Sequence, residues 1–433
     1  MRKKILSVEC AGLGIELLSA CPEFSQLSGF QFSAMQSVFP AVTCTAQATF
    51  RTATSPLQHQ VVCNGRYDRK THKVDFWNQS AGLMQGGRIW DRLRQAGGKA
   101  GVLFHQQSLG DSCDLVLSPA PVHRHHGGMV QACHTRPEGL EQRLNEYVGR
   151  PFTLTNYWGP MSNHKSSAWI CAATEAVMQQ DKPDFLAVYI PHMDYSQQKV
   201  GPQETAVMER ELRVLASFLK RLLTAAESTG YEVLVWGDYG ISPVKEAIFP
   251  NRILRQQGLF SARKIAGGRT YANLYDSAAF AMTDHQVAHI YLKDMRELES
   301  VRKIFSGLPG VSRVLPPEAF ALPAGESGEL VLEAADGYWF AYHWWESAGE
   351  APDYATHVDI HNKIGFDPCE LFWKIPFLST SLDCSQPRGS HGRLDCPACF
   401  AATAPLAERL QSESLLKMSL SLENVLGEMR VDL

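Results

Sequence analysis

Leu186-Ala187-Val188-Tyr189-Ile190 is an apolar pentapeptide that continues through Pro191-His192-Met193 into Asp194. A short, unbroken apolar run of this kind predicts a strand buried on both faces. Its flanks decide the fold. A helical pattern around 167–179 precedes it, and a second one over about 203–228 follows, with Leu212, Leu215, Leu219 and Leu222 on one face. Strand 232–236, carried by Val233-Leu234-Val235-Trp236, comes at once and ends just before Asp238. Further out, strand 5–9 ends at Glu9 and leads to a helix near 13–19. Residues 89–95 read as helix before strand 100–104. This alternation predicts an α/β fold with a mostly parallel sheet flanked by helices on both faces.

At 433 residues, 45% hydrophobic and 20% charged, the chain can bury a sizeable core and has ordinary globular composition. The rhythm changes after about residue 260. Ala288-His289-Ile290-Tyr291-Leu292, a helix near 295–306 and a strand around Val311 to Val314 predict a compact β-α-β unit, and Glu329-Leu330-Val331-Leu332-Glu333 adds another strand. The expected organisation is a core over 1–260, an inserted α+β cap over 261–375, and a return to the core with a C-terminal helix over 376–433. The last core segment is expected near 376–395, and Leu322 to Gly328 is the best linker candidate.

A net charge of −4 argues against a partner as acidic as a nucleic-acid polymer. No apolar run approaches the roughly 20 residues of a membrane span. Met1 to Val8 has the basic start of a signal peptide, but its apolar run is short and meets Glu9, so it reads as the first strand. Eleven scattered cysteines suit reduced thiols and a cytoplasmic location. Cys396-Pro397-Ala398-Cys399 could join Cys384 and His391 in a zinc site, yet a second CxxC is missing and free thiols are the preferred reading. The sequence leaves monomer and homodimer open.

The residues that carry chemistry are weak signals one at a time. An aspartate after a strand is commonly a helix cap, and so is a threonine before a helix. Four segments acquire meaning through their order. They are Phe39-Pro40-Ala41-Val42-Thr43, His59-Gln60-Val61-Val62-Cys63-Asn64, the acidic strand ends Glu9, Asp194 and Asp238, and Gly389-Ser390-His391-Gly392. Acidic groups at three strand ends, a hydroxyl and a distant histidine suit metal-assisted phosphoryl transfer.

That order resembles the type I phosphodiesterase / nucleotide pyrophosphatase branch of the alkaline phosphatase superfamily, over approximately 3–65, 165–245 and 385–395. The resemblance implies an alkaline-phosphatase-like sheet with an inserted cap, Thr43 as nucleophile, and Asn64 as a ligand of a phosphoryl oxygen. It also implies two divalent metal ions, with Zn²⁺ the family expectation. Asp194 and Gln198 stand at the family's Asp-x-x-x-His, Asp238 and Tyr239 at its Asp-His-Gly, and His391 at its last metal-binding histidine. Glu9 replaces an aspartate, so Glu9, Thr43, Asp194, Gln198, Asp238, Tyr239 and His391 form the expected metal set. Gln198 and Tyr239 replace histidines, and an oxygen-rich site of this kind suits Mn²⁺ or Mg²⁺.

Asp359 and His361 alternate in Thr356-His357-Val358-Asp359-Ile360-His361 and could face one side of an extended chain, as additional ligands. The competing reading is a surface loop salt-bridged through Lys363. The aromatic run Tyr338-Trp339-Phe340, with Tyr342, Trp344 and Trp345, reads as cap packing rather than a base pocket. His123, His125 and His126 read as an exposed loop. A sulfatase is excluded because Cys44-Thr45-Ala46-Gln47 lacks the proline and arginine of C/S-x-P-x-R. The expected activity is metal-dependent hydrolysis of a small phosphodiester, phosphoanhydride or phosphonate substrate through a phospho-threonine. The alternative is a non-catalytic or altered-chemistry phosphate or nucleotide binder on the same scaffold.

Overall fold

In the computed structural model, residues 3–429 are described apart from 26, 127, 375, 377, 378 and 412. Met1 and Arg2, which open the basic N-terminal stretch, and residues 430–433 of the expected C-terminal segment lie outside the described residues.

The main sheet has eight strands. Its centre is parallel: Tyr231–Gly237, Lys4–Cys10, Phe185–Ile190, Ala100–Leu103 and Leu115–Pro119 lie side by side in that order. Short antiparallel strands finish both edges, Ala398–Ala402 and Ser33–Met35 on one side and Cys133–Arg136 on the other. The central strands are apolar on both faces because both faces are covered. Leu6, Val8, Leu186 and Val188 pack under helices Lys165–Gln180 and Thr205–Thr229. Ile5, Ala187, Leu234 and Trp236 pack under Thr43–Thr52 and Leu415–Glu428.

A second, four-stranded antiparallel sheet has the order Ala279–Asp284, Val287–Leu292, Leu330–Ala334, Val311–Leu315, with helix Leu298–Ser306 packed on it. The expected β-α-β neighbours are therefore not adjacent. Leu330–Ala334, fully apolar but for Glu333, takes the central place between them. Leu322 to Gly328 connects within this sheet.

Two further expectations differ in detail. The helix near 13–19 is a 3₁₀ turn over Glu16–Ala20, squeezed between Gly14 and Pro22. The main-sheet return is Ala398–Ala402, just beyond 376–395, where Gly389–Ser390 pairs instead with Ser242–Ile248. Part of the Cys396-Pro397-Ala398-Cys399 segment thus lies in an antiparallel strand between Tyr231–Gly237 and Ser33–Met35, and all eleven cysteines are free. Cys384 lies against Cys369, with their sulfurs 3.7 Å apart, and against His343.

Candidate active site

Parallel register sets the site at the C-terminal ends of the central strands. Glu9 is opposite Tyr189 on one neighbour and Trp236 on the other, so Asp194 and Asp238, just past those neighbours, emerge beside it. Thr43 opens a ten-residue helix whose preceding residue, Val42, is extended and has no capping side chain. The cap comes from a distant residue: Cys44 N–H donates to Asn64 Oδ1 at 2.9 Å. His391 is presented by a turn in which Gly392 has a φ of +126°, a conformation that favours glycine.

Around Thr43 the side chains form one chain of contacts. Its Oγ1 is 3.0 Å from the Tyr239 hydroxyl, which donates to Asp194 Oδ1 at 3.4 Å. Gln198 Nε2 donates to Asp194 Oδ2 at 2.7 Å. Burial raises the Asp194 pKa to about 6, while the charge of His285 and the Gln198 and Tyr239 hydrogen bonds oppose the rise. Burial, with the charges of Asp194 and Asp238, lifts Tyr239 well above the ordinary phenol range, so it is a proton donor.

His391 donates from Nδ1 to the Ala41 carbonyl at 2.8 Å, since a carbonyl can only accept. Burial first, then the charge of His285, holds its pKa well below the usual imidazole value. The neutral ring therefore turns the bare lone pair of Nε2 towards Asp194 Oδ1, 3.7 Å away. Two acceptors face each other across that gap.

Glu9 and Asp238 make a second such arrangement. Glu9 Oε1 accepts from Gln47 Nε2 at 3.0 Å, and Asp238 Oδ1 accepts from the backbone N–H groups of Gly12 (2.8 Å) and Tyr239 (3.0 Å). Glu9 Oε2 and Asp238 Oδ2 are buried without a hydrogen-bond partner. Burial, and then mutual repulsion, raises Glu9 well above its usual value. Burial carries Asp238 to about 8, against the opposing Gly12 hydrogen bond and reinforced by the Asp194 charge. His105 lies 3.6 Å from Glu9 Oε2, but burial and then Arg51 keep it neutral.

Asn64 sits behind Thr43, where its Nδ2 donates to Asp284 Oδ1 at 3.1 Å and its own N–H to Asp284 Oδ2 at 2.7 Å. Asp284 also accepts from His285 Nδ1 at 2.7 Å. Burial works to raise its pKa, yet His285, Asn64 and Cys63 together bring it below the ordinary carboxylate value.

His285 is a site residue the sequence reading missed. Its ring lies tilted against His391 (3.6 Å between centroids) and stacks on Phe366 (3.6 Å), and His391 stacks on Tyr239 (3.7 Å), so four rings form one column beside Thr43. The adjacent pair Asp284-His285 at the end of strand Ala279–Asp284 was the available signal.

Thr43, Asp194, Gln198, Tyr239, His285 and His391 line one cavity of about 530 Å³, and Asp359 and His361 line it too. His361 Nδ1 bonds the Phe76 carbonyl at 2.9 Å, and the Asp359 carboxylate accepts from Asn362 at 2.8 Å. Lys363 is no surface residue. Its ammonium is buried between Asp367 (2.7 Å) and Glu370 (2.6 Å), an ion triad that anchors this wall. Trp339, Tyr342, Trp344 and Trp345 are buried and do not line the cavity.

No group of three or more His, Cys, Asp or Glu side chains converges as a preformed metal cage among the described residues. The two acceptor pairs nevertheless fit cations. Glu9 Oε2 with Asp238 Oδ2, and Asp194 Oδ1 with His391 Nε2, each present lone pairs that no protein donor fully satisfies.

The family model for type I phosphodiesterase / nucleotide pyrophosphatase matches residues 6–367. No curated protein matches the sequence. Phosphonoacetate hydrolase from Sinorhizobium meliloti 1021, solved with phosphonoformate, superposes with a TM-score of 0.63 at 15% identity, covering 98% of this chain and 96% of that one. Murine ectonucleotide pyrophosphatase / phosphodiesterase 5 superposes with a TM-score of 0.59 at 14% identity, covering 99% and 96%. An inactive form of the murine protein, solved with AMP, gives 0.58. At these identities the neighbours establish the fold, and the family match covers most of the chain. The protein is a hydrolytic enzyme of the type I phosphodiesterase / nucleotide pyrophosphatase family.

Proposed function

We propose that the protein hydrolyses a phosphodiester, phosphoanhydride or related phosphonate through a covalent phospho-threonine on Thr43. The observation that carries this reading is the placement of the Thr43 hydroxyl: on the cavity wall with Asp194, and 3.0 Å from the Tyr239 hydroxyl that also reaches Asp194. Thr43 Oγ1 attacks phosphorus, the bond to the leaving oxygen (in a phosphonate such as phosphonoacetate, to carbon) breaks, and the leaving group departs with a proton. Water then cleaves the phospho-threonine and restores the hydroxyl.

The chain's own residues position the nucleophile and its proton. Tyr239 is within hydrogen-bond reach of both Thr43 Oγ1 and Asp194, so the nucleophile's proton has a path towards that carboxylate. Asn64, buried behind Thr43, fixes the first turn of the helix, which sets the Thr43 N–H as a donor for a non-bridging oxygen. Asp284 holds His285 in the ring column that walls the centre.

Family members are typically dependent on divalent metals. Here Glu9 and Asp238 would hold one ion and Asp194 and His391 the other, with Gln198 and Tyr239 beside them. Bound cations would supply a more acidic threonine hydroxyl and charge to offset the phosphoryl oxygens. Zn²⁺ is the family expectation, and the oxygen-rich donor set also suits Mn²⁺ or Mg²⁺. No helix among the described residues is long and apolar enough to cross a membrane. Eleven free thiols support a reducing, cytoplasmic setting.

The test is turnover of chromogenic phosphodiesters by metal-supplemented protein, wild type against Thr43→Ala. The variant should lose several orders of magnitude in rate. Near wild-type turnover by Thr43→Ala would refute the nucleophile. Absence of turnover in wild type, with intact phosphate or nucleotide binding, would favour the binder reading.

A further inference from the structure

The cavity above Thr43 is walled by rings and lacks cations. Trp77, Tyr157, Trp158, Phe366 and Trp373 line it, and no lysine or arginine lines it among the described residues. Polyphosphate recognition ordinarily uses such side chains, because each added phosphate brings charge that one or two reaction-centre cations cannot cover. Away from Thr43 this wall offers Asp75 and Asp359, both acidic.

Of the polar side chains lining the cavity, Gln198 Oε1, beside Asp194, and the Tyr195 hydroxyl are without a partner, whereas the amides away from Thr43 are engaged. Gln79 Nε2 donates to Gln106 Oε1 at 2.6 Å, and Gln79 Oε1 accepts from the Gln107 N–H at 3.2 Å. Gln106 Nε2 reaches the Tyr157 hydroxyl at 3.3 Å, and Asn78 Nδ2 donates to Asp75 at 2.8 Å. The Trp158 indole N–H is taken by Glu370 at 2.7 Å. A nucleobase or ribose is read by donor–acceptor amides of this kind, and the three amides away from Thr43 are each turned towards a protein partner. At about 530 Å³ the space still suits a sizeable organic group.

We infer that the group carried by phosphorus is a bulky apolar ring system, the ester of an aryl or fused-ring alcohol, rather than a nucleoside or a second phosphate. The inference rests on the reading of Thr43 as the reacting centre. In the reaction the P–O bond to the ring oxygen breaks, that oxygen leaves as the alcohol with a proton, and the hydroxyl of water ends on phosphorus. Ring faces recognise the body of the substrate by area and by edge-to-face contact, the arrangement already adopted by Trp158 with Tyr195 and by Trp77 with Phe366.

Metal-supplemented protein is assayed for kcat/KM on 2-naphthyl methyl phosphate, ADP and phosphonoacetate. The naphthyl ester should be preferred at least about tenfold. Trp373→Ala, on a side chain 38% exposed at the cavity wall, should raise KM for that ester about fivefold to tenfold with kcat little changed. Val358→Lys, at a residue 48% exposed on the same cavity, adds the missing cation and should narrow the gap to ADP. Equal or better turnover of ADP or phosphonoacetate by wild type overturns the inference while leaving the hydrolase reading standing. If nothing is turned over, quenching of tryptophan fluorescence decides. Binding of 2-naphthyl phosphonate about tenfold tighter than AMP, weakened by Trp373→Ala, upholds the ring-selective cavity and removes the hydrolase reading. AMP binding as tightly overturns the cavity inference.

Discussion

Asp238→Asn should make the metal-free protein more stable at pH 8 while lowering its activity. The carboxylate is fully buried, with Oδ1 satisfied by two backbone N–H groups and Oδ2 unpartnered near Glu9. An asparagine keeps the Oδ1 acceptor and turns the orphaned oxygen into a donor. In the unfolded chain Asp238 titrates near 3.8, whereas burial carries it to about 8 in the folded protein. A raised pKa means that the folded state holds the proton longer. Its stabilising contribution is complete below pH 3.8 and is lost as pH rises towards 8. From pH 5 to pH 8 that is nearly three units at about 1.4 kcal/mol each, a loss of roughly 3–4 kcal/mol.

Buried histidines act in the opposite direction. His59 and His192, lowered by burial to about 3, and His289, lowered to about 4, gain stability as pH rises towards 6.5. The quantity to read is therefore the difference between variant and wild type, in which the histidine contributions cancel. Urea unfolding with a chelator present, at pH 5 and pH 8, measures it. The variant's advantage should grow by roughly 3–4 kcal/mol across that interval, and saturating Mn²⁺ should shrink it by stabilising the ionised wild-type pair. A difference that is flat, or that falls with pH, would refute the view of Glu9 and Asp238 as a buried pair of like charges.

Asp194→Ala should lower bound metal per chain and turnover together, and elemental analysis with unchanged content would return Asp194 to a helix-capping role. Tyr239→Phe keeps the ring on His391 but removes the hydroxyl beside Thr43, so turnover should fall about a hundredfold with an unchanged near-UV spectrum. Undiminished turnover would exclude the Thr43–Tyr239–Asp194 proton path. Wild type stripped and reloaded should accept Mn²⁺ or Mg²⁺ about as well as Zn²⁺, while Gln198→His with Tyr239→His should shift preference towards Zn²⁺. Activity with Zn²⁺ alone, unaffected by His361→Ala, would sink the oxygen-rich reading.

The fold was legible because its central strands are continuous apolar runs, and their acidic ends follow from parallel register. Adjacent parallel strands bring Glu9, Asp194 and Asp238 together, so sequence alone sufficed to group them. Thr43 and His391 needed the order of segments, since nothing local marks a threonine that opens a helix or a histidine in a glycine turn. The cavity wall was not legible. Trp77, Trp158, Phe366 and Trp373 come from four loops or short strands with no shared period, and only the tertiary fold assembles them. Asp284 and His285 were overlooked for a related reason: their strand belongs to the second sheet, which read as cap. Lys363 misled because an isolated lysine normally faces solvent, and its two carboxylate partners lie four and seven residues on.

Gln198 and Tyr239 act on one atom group. Where histidines would offer lone pairs to a cation, the amide N–H and the phenol O–H offer protons, and both point at Asp194. That carboxylate is partly satisfied by the protein itself. Glu9 and Asp238 also accept protein hydrogen bonds, but each keeps one buried oxygen without a donor and each repels the other. A buried pair of carboxylates is tolerated only with a shared proton or a bound cation. Of the two proposed ion positions, Glu9–Asp238 is therefore the one whose charge the protein compensates least, whereas Asp194 receives two side-chain donors, one of them the Tyr239 hydroxyl beside Thr43. Gln198 and Tyr239 thus both support Asp194, and Tyr239 also reaches the Thr43 hydroxyl.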